Sequence, residues 1–412
     1  MRARVVLWIA FLVVHVGVAA LGWAMPGATM GDVYIVYEPW ATNAVTGARV
    51  VGVTEPFVYP HLALVAMILA KALSWVGGYL VAWALLVIVL NAIAFAVLIG
   101  RGHSRGRTAA AWFWLVAIVL LGPVGMYRID AITVPLAILG LLWLAGRPAI
   151  ASVLLAVGMW IKVWPVALLA TAFVAVRRRM LVLGAAVAVS AAVMLVVVAL
   201  GGAEHLFGFV GEQTGRGLQV EAPVATFYLW RAMLGMPGSH PYYSQDILTY
   251  QVDGPGADVL SALMTPLLVV AAAGVLVLGG YKSWRGAHFV RLAPPLALAF
   301  VMTLIVVNKV GSPQFMTWLF APIVFWIVVD RTRAWFPALL GALTIGLTQL
   351  VYPLFYGAVL SAVPYGVLLL TLRNVLSIVL LVFAVAVVAR VPAPGRIGRG
   401  RPRSDAAIPA SA

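Results

Sequence analysis

The chain has 412 residues, of which 64% are hydrophobic and only 9% are charged. Soluble domains carry about 25% charged residues, so this composition excludes a soluble globular protein and indicates a polytopic membrane protein. Apolar runs of about 20 residues suit helices that cross a hydrocarbon core roughly 30 Å thick, whereas barrel strands are about half as long. The net charge of +15 is explained by cytoplasmic Lys and Arg, without a nucleic-acid partner. The chain contains no cysteine, which excludes disulfides and thiol chemistry.

The apolar runs predict an all-α membrane protein with about ten to twelve transmembrane helices and short helices in its outer loops. Ten predicted spans cover residues 5–25, 79–100, 109–126, 130–146, 181–200, 258–280, 288–307, 315–330, 335–352 and 368–390. The first run is longer than the apolar core of a signal peptide, so we expect a retained helix. Segments 60–75 and 150–177 are not expected to cross the membrane as single continuous helices.

The charge distribution predicts the orientation of these helices. With Arg2 and Arg4 placed in the cytoplasm, most of the 27 Lys and Arg residues fall on that side. Among the 12 acidic residues only Asp330 and Asp405 do so. Because Lys and Arg collect in cytoplasmic loops, we predict a multi-pass protein with both termini in the cytoplasm.

Two long polar loops, 26–59 and 202–257, are then predicted on the outer side. Residues 1–390 are expected to form a single transmembrane domain. The segment 391–412 is rich in Pro, Gly and Arg, which predicts a disordered basic cytoplasmic tail near anionic lipid.

Segment 150–177 is flanked on both sides by arginines that we expect in the cytoplasm. Either two short helices meet near Lys162 and Pro165, or a single span has neighbours assigned to the wrong side. The broken pair is favoured because proline removes a helical hydrogen bond, and broken helices occur at membrane depth where they line a cavity. A lysine inside a span costs about 2.5–3.5 kcal/mol on insertion scales, so Lys162 is expected to face such a cavity and meet an anion.

The first outer loop contains "MGDVYIVYEPW", which places Asp32, Tyr37 and Glu38 just after the first helix. An interfacial loop with ordinary acids explains the pattern, but isolated acids among apolar residues are also enriched at functional sites. Further along, "EPFVYPHLALVAM" supplies Tyr59 and His61, for which a proline-led helix start is the plainer explanation.

Three more stretches carry polar residues at predicted outer helix ends. In "MYRIDAITVP", Arg128 and Asp130 form a local ion pair or contact a ligand. In "VNKVGSPQFMTW", a polar anion-binding pocket is favoured over a plain turn. In "LLTLRNVLSIVLL", an arginine either extends to the interface or holds a phosphate. The candidates in the last two stretches are Asn308, Lys309, Gln314 and Arg373.

The second outer loop contains "GRGLQVEAPVATFYLWR". Its polar residues Arg216, Gln219 and Glu221 precede an aromatic stretch that either lies on the membrane surface or walls a groove. The sequence has none of the motifs of nucleotide-binding loops, zinc proteases or serine hydrolases, and no Asp-x-Asp pair. The sequence therefore disfavours a protein that couples transport to nucleotide hydrolysis and a metal-dependent hydrolase.

The stretches "GDVYIVYEPW", "YPH", "MWIKVWP", "RGLQVEAP", "SPQFMTW" and "LRNVL" occur in this order along almost the whole chain. Together they resemble glycosyltransferase family 87 of the GT-C fold, whose members act in actinobacterial envelopes. One departure is "YPH", where the family often has Tyr-Pro-Pro, and it leaves a role for His61 open.

The resemblance implies a metal-independent, inverting transfer without a cofactor at the outer face of the plasma membrane. A mannosyl residue, or as second choice an arabinofuranosyl residue, would move from a polyprenyl-phosphate donor to a lipid-anchored glycan, among membrane lipids. It makes Asp32 the catalytic base. The expected phosphate-stabilising cations are Lys162, Lys309, Arg216 and Arg373. The expected sugar ligands are Arg128, Tyr37, Glu38, Gln219, Glu221, Asn308 and Gln314, and Tyr59, His61 and Asp130 are further substrate-binding candidates.

Two other functions fit the same composition. A flippase or transporter of lipid-linked sugars would share the apolar helices and the cationic cavity, although such proteins often carry paired broken helices and the sequence shows one clear break. A non-catalytic lipid-binding protein would not depend on its outer acids.

Overall fold

The computed structural model describes residues 2–101 and 104–393, which form a bundle of helices with one small hairpin. The α-helices are α1 (Arg2–Ala24), α2 (Glu38–Thr46), α3 (Leu62–Ala72), α4 (Tyr79–Ile99), α5 (Arg105–Leu121), α6 (Asp130–Trp143), α7 (Pro148–Ile161), α8 (Val166–Ala175), α9 (Arg179–Ala199), α10 (Gly208–Thr214), α11 (Thr226–Met233), α12 (Ala257–Trp284), α13 (Phe289–Val306), α14 (Phe320–Val329), α15 (Arg331–Gln349), α16 (Tyr356–Leu360) and α17 (Pro364–Arg390). The strands are β1 (His240–Ser244) and β2 (Thr249–Asp253). The structure also has two π-helical segments, Asp32–Tyr37 and Leu350–Leu354, and a 3-10 segment, Pro313–Leu319.

Eight helices in the described part of the chain are long and apolar enough to cross a membrane, as expected of a polytopic membrane protein. They are α1, α4, α5, α9, α12, α13, α15 and α17. Eight is fewer than the ten to twelve predicted from the sequence. The difference lies at predicted spans 130–146 and 315–330, where α6 has 14 residues and α14 only 10. α13 is the most buried of the eight, whereas α9 and α12 are largely exposed.

The helix break predicted within segment 150–177 is confirmed. α7 ends at Ile161 and α8 begins at Val166, and Lys162 between them has an extended backbone (φ −150°, ψ 135°). Pro165 lacks the N–H that a continuous helix needs, so the chain turns back here. Segment 60–75 also lacks a long continuous helix, because α3 within it has only 11 residues.

The helices present two ends with different chemistry. At one end, Arg107 Nη1 donates to the carbonyl of Val97 (2.9 Å) and Lys282 Nζ donates to that of Val391 (3.1 Å). We call this the basic end, because the arginines at the start of α5, α9 and α15 lie there. At the other end, the loops after α1, α5, α7 and α13 meet, and we call it the site end.

The hairpin of β1 and β2 adds two short strands to the otherwise helical architecture predicted from the sequence. Tyr243 pairs with Tyr250 in its antiparallel ladder. Residues 218–220 extend the ladder, because Val220 N–H donates to the carbonyl of Tyr250 (3.1 Å) and Val252 N–H donates to that of Leu218 (2.9 Å). Aromatic and β-branched residues favour such pairing, although each strand is only five residues long.

The predicted basic tail, 391–412, lies outside the described residues from position 394 onward.

Candidate functional site

Asp32 is the first residue of the π-helical segment that follows α1. Its Oδ1 lies 2.6 Å from Arg128 Nη1, and its side chain remains 36% exposed. Tyr37, one turn later, donates its hydroxyl to Asp32 Oδ2 at 3.5 Å. π-Helical turns are rare and occur often at functional sites. Asp32 is therefore a held but accessible carboxylate.

Arg128 is supplied by the turn between α5 and α6, and its side chain is only 9% exposed. Burial by itself would lower the pKa of Arg128, but the carboxylate of Asp32 raises it above its ordinary value. The guanidinium also interacts with the side chain of Tyr352. Arg128 thus stays charged and fixes one oxygen of Asp32.

Tyr59 lies between Asp32 and a second charged pair. Its ring centroid is 4.3 Å from Lys162 Nζ and 6.2 Å from the ring centroid of Tyr37. Burial raises the pKa of Tyr59, and Lys162 acts in the opposite direction. Asp32 and Asp130 also act electrostatically on this ring, so both carboxylates lie around it.

Lys162 extends from the helix break between α7 and α8, where it is 17% exposed. Its Nζ lies 3.9 Å from Asp130 Oδ2, on a carboxylate that is 1% exposed. Trp318 Nε1 donates to Asp130 Oδ1 at 2.6 Å. Asp130 is therefore a buried counter-charge that offsets the desolvation of the ammonium rather than a group open to substrate.

Arg216 and Lys309 supply two further cations at the site end. Burial lowers the pKa of Arg216, which Tyr59 partly opposes. Burial also lowers the pKa of Lys309, and Arg216 adds to the effect by repulsion. Two partly desolvated cations close enough to repel each other favour an anion between or beside them.

Gln219 links the loop between α10 and α11 to the turn after α13. Its Oε1 accepts from Gly311 N–H (3.1 Å) and from Ser312 Oγ (3.0 Å), while its N–H donates to the carbonyl of Lys309 (2.9 Å). A Cβ at Gly311 would collide with the backbone of Glu221 and Ala222, so only glycine permits this approach. Gln219 therefore fixes the backbone that carries Lys309.

Glu221 is 2% exposed and accepts a hydrogen bond at Oε1 from the Tyr356 hydroxyl (2.8 Å). Its Oε2 has no hydrogen-bond partner. Burial raises the pKa of Glu221, and the Tyr356 hydroxyl and Arg373 only partly oppose this shift. Glu221 is therefore a buried acid that supports Tyr356, with one oxygen unpaired.

Arg373, near the site end of α17, is 1% exposed and bonded to protein on every side. It donates to the carbonyls of Glu221 (3.0 Å) and Gly311 (3.1 Å), to Asn374 Oδ1 (2.7 Å) and to Thr348 Oγ1 (3.2 Å). These contacts join α17 and α15 to both site loops. The geometry favours a structural clamp over the phosphate ligand expected from the sequence.

No protein-family profile matches this chain, and no curated protein matches it at a significant level. The assignment of a function therefore depends on the sequence motifs and on the geometry above.

About half of the sequence-predicted site residues come together around Asp32 and Tyr59, namely Tyr37, Arg128, Asp130, Lys162 and Arg216 besides these two. Glu38 instead pairs with Lys71 (3.2 Å). His61 Nε2 donates to the carbonyl of Gly52 (3.0 Å), and its ring packs 6.1 Å from that of Trp160. These contacts favour structural roles for Glu38 and His61.

Asn308 and Gln314 make mostly local contacts. Asn308 Oδ1 accepts from Val310 N–H (3.0 Å), which holds its own turn, and the Gln314 carbonyl accepts from Thr317 Oγ1 (2.8 Å). Both lie in the loop that carries Lys309, so they shape that loop.

Sequence reasoning missed three aromatic residues of the site: Trp318, Tyr352 and Tyr356. Trp318 lies in a quoted motif, but its bond to Asp130 spans 188 positions of the chain. The tyrosines lie in "VYPLFYG", where a proline after an apolar run was the available signal of a break.

Proposed function

We propose that this protein is a GT-C glycosyltransferase of the family 87 type. It transfers a mannosyl residue, or as second choice an arabinofuranosyl residue, from a polyprenyl phosphate to a lipid-anchored glycan. The observation that carries the proposal is Asp32, a partly exposed carboxylate held by Arg128 at 2.6 Å and adjoining the cations around Tyr59. The sequence motifs that resemble the family include Asp32, Tyr59 and Lys162, whereas Arg128 lies outside them.

The reaction needs one base and a set of cations. The acceptor hydroxyl attacks the anomeric carbon, the bond from that carbon to the phosphate oxygen breaks, and Asp32 takes the hydroxyl proton. The polyprenyl phosphate leaves with the bonding electron pair, and Lys162, Arg216 and Lys309 stabilise its negative charge. No step requires a metal or a cofactor.

The charge distribution supports an orientation for this reaction. In the proposed orientation the basic end and both termini lie in the cytoplasm, because Lys and Arg collect on that side of membrane proteins. The site end then faces outward from the plasma membrane, where a lipid-linked donor and a lipid-anchored acceptor meet.

A reconstitution experiment tests the proposal. Vesicles that contain the purified protein are given radiolabelled polyprenyl-phosphate mannose, or in a parallel experiment the arabinofuranose donor, in the outer leaflet together with a lipid-anchored mannoside. A transferase forms a longer labelled glycan without moving the donor across the bilayer. Failure to form this product with both mannose and arabinofuranose donors contradicts the proposal.

A flippase of lipid-linked sugars is the second candidate, and one structural observation favours it. Besides the break at Lys162, the described chain has a break in the other half, where Tyr352 adopts non-helical angles (φ −135°, ψ 122°) between α15 and α16. Paired broken helices are common in transporters. In the same vesicles, a flippase moves the labelled donor to the inner leaflet and leaves the acceptor unchanged.

A further inference from the structure

Four tyrosines form a continuous row from the hairpin to the candidate catalytic pair. The ring centroids of Tyr243 and Tyr250 lie 4.9 Å apart, those of Tyr250 and Tyr356 lie 5.7 Å apart, and those of Tyr356 and Tyr352 lie 4.9 Å apart. Tyr352 in turn interacts with Arg128, the partner of Asp32. We call these four residues the tyrosine row.

The row is held in place along its length. Tyr250 is fixed by the ladder between β1 and β2 and by its carbonyl, which accepts from Val220 N–H (3.1 Å). Tyr356 is fixed by its hydrogen bond to the buried Glu221 (2.8 Å). Since Arg373 binds the carbonyl of Glu221 (3.0 Å), the support extends into α17. The rings are therefore positioned before any ligand arrives.

The outer end of the row, Tyr243, is the exposed one. Tyr352, Tyr356 and Tyr250 are half-buried, and Tyr243 is 45% exposed. A fixed series of partly exposed rings suits a ligand that extends across several of them, because each aromatic face adds contact area at little entropic cost.

The charge pattern separates this row from the cationic side of the site. Lys162 lies over Tyr59, and Arg216 acts electrostatically on the same ring, whereas the members of the tyrosine row beyond Arg128 contact one another and Glu221. An anionic ligand is favoured on the cationic side. A neutral ligand with apolar C–H faces and hydroxyl groups is favoured along the row.

We propose that the tyrosine row binds the saccharide chain of the acceptor, with successive sugar rings packed on Tyr352, Tyr356, Tyr250 and Tyr243. This inference rests on the proposed function, since it names the substrate class that reaches Asp32. It implies that the acceptor is an oligosaccharide of several units rather than a single sugar on a lipid.

Binding of neutral oligosaccharides without any donor tests the inference. The full-length protein in lipid nanodiscs is titrated with mannobiose and with mannotetraose, and affinity is followed by calorimetry and saturation-transfer NMR. We expect tighter binding of mannotetraose. Tyr243→Ala should weaken that binding roughly tenfold, which corresponds to about 1.4 kcal/mol, and Tyr243→Phe should retain it because the ring is kept.

The matched control is Tyr365→Ala, which removes an exposed tyrosine (60%) at the same end but outside the row. It should bind both sugars as the unaltered protein does. The inference is overturned if the unaltered protein does not bind mannotetraose, if Tyr243→Ala binds it normally, or if Tyr365→Ala weakens it equally. An equal effect identifies these tyrosines as membrane-interface anchors.

The sugar-binding experiment tests the tyrosine row independently of the proposed transferase activity, because no donor is present. Sugar binding through Tyr243 in a protein that forms no glycan product supports the row and contradicts the transferase. Product formation with normal mannotetraose affinity in Tyr243→Ala supports the transferase and overturns the row.

Discussion

Arg128 Nη1 lies 2.6 Å from Asp32 Oδ1, and this ion pair joins the turn before α6 to the π-helical segment after α1. The pair leaves Oδ2 of Asp32 on the side of the Tyr37 hydroxyl, 3.5 Å away. One oxygen is therefore used for positioning, and in the proposed reaction the other takes the proton of the acceptor hydroxyl.

Removal of Arg128 should reduce the rate of transfer more than it reduces substrate binding. We expect Arg128→Ala to lower kcat roughly hundredfold, the scale on which a misplaced catalytic group costs rate. Steady-state kinetics with purified protein measures kcat and both KM values. Arg49→Ala, which removes an exposed arginine of the 26–59 loop that carries Asp32, is the control. Equal kcat values in the two variants contradict the positioning role.

Lys162 should affect both donor binding and stability, because it is the counter-charge of buried Asp130. Lys162→Ala leaves that carboxylate unpaired and should destabilise the protein by up to about 3 kcal/mol. The double variant Lys162→Ala, Asp130→Asn should recover much of the loss in Tm, yet still bind the donor weakly. Thermal unfolding and donor titration separate the effects, and normal donor affinity in the double variant contradicts a role in phosphate binding.

Arg373 should matter for stability rather than for phosphate binding. Its four hydrogen bonds to protein are worth about 1 kcal/mol each, so Arg373→Lys is expected to lower stability by roughly 2–3 kcal/mol. The folded variant should keep the donor affinity of the unaltered protein. A loss of donor affinity without a change in Tm restores the phosphate-binding role that the sequence predicted.

The pH dependence of stability should report on Glu221. Burial raises the pKa of this carboxyl, so the folded state binds its proton more tightly than the unfolded state does. The contribution of Glu221 to folding stability is fully present at acidic pH. It is lost as the pH rises from the ordinary glutamate pKa through the raised pKa of the folded state. Glu221→Gln should remove this loss, so that its Tm exceeds that of the unaltered protein at neutral pH but not at acidic pH. The opposite trend contradicts a raised pKa.

Much of the helical framework was predictable, because apolar length and charge placement are local properties of the chain. The break at Lys162 was predictable for the same reason, since a lysine and Pro165 interrupt one apolar run. The β1–β2 hairpin was not, because its five-residue strands have no strong alternation and depend on residues 218–220 for pairing.

The site was predictable as a set of residue types but not as a set of contacts. Asp130 and Trp318 are hydrogen-bonded across 188 positions, which a single sequence does not show. Arg373 illustrates the opposite problem. A charge within a membrane helix suggests function by default, but here backbone carbonyls of distant loops bind it.

Asp32→Asn gives the most direct test of the central claim, since it keeps the shape of the side chain and removes the base. Transfer of labelled mannose from polyprenyl phosphate to a lipid-anchored mannoside is measured with purified protein, beside donor binding. Asp258→Asn, an exposed acid in the first turn of α12, is the matched control. The account predicts loss of transfer in Asp32→Asn with donor binding largely retained, and normal transfer in the control. Near-normal turnover by Asp32→Asn contradicts the account.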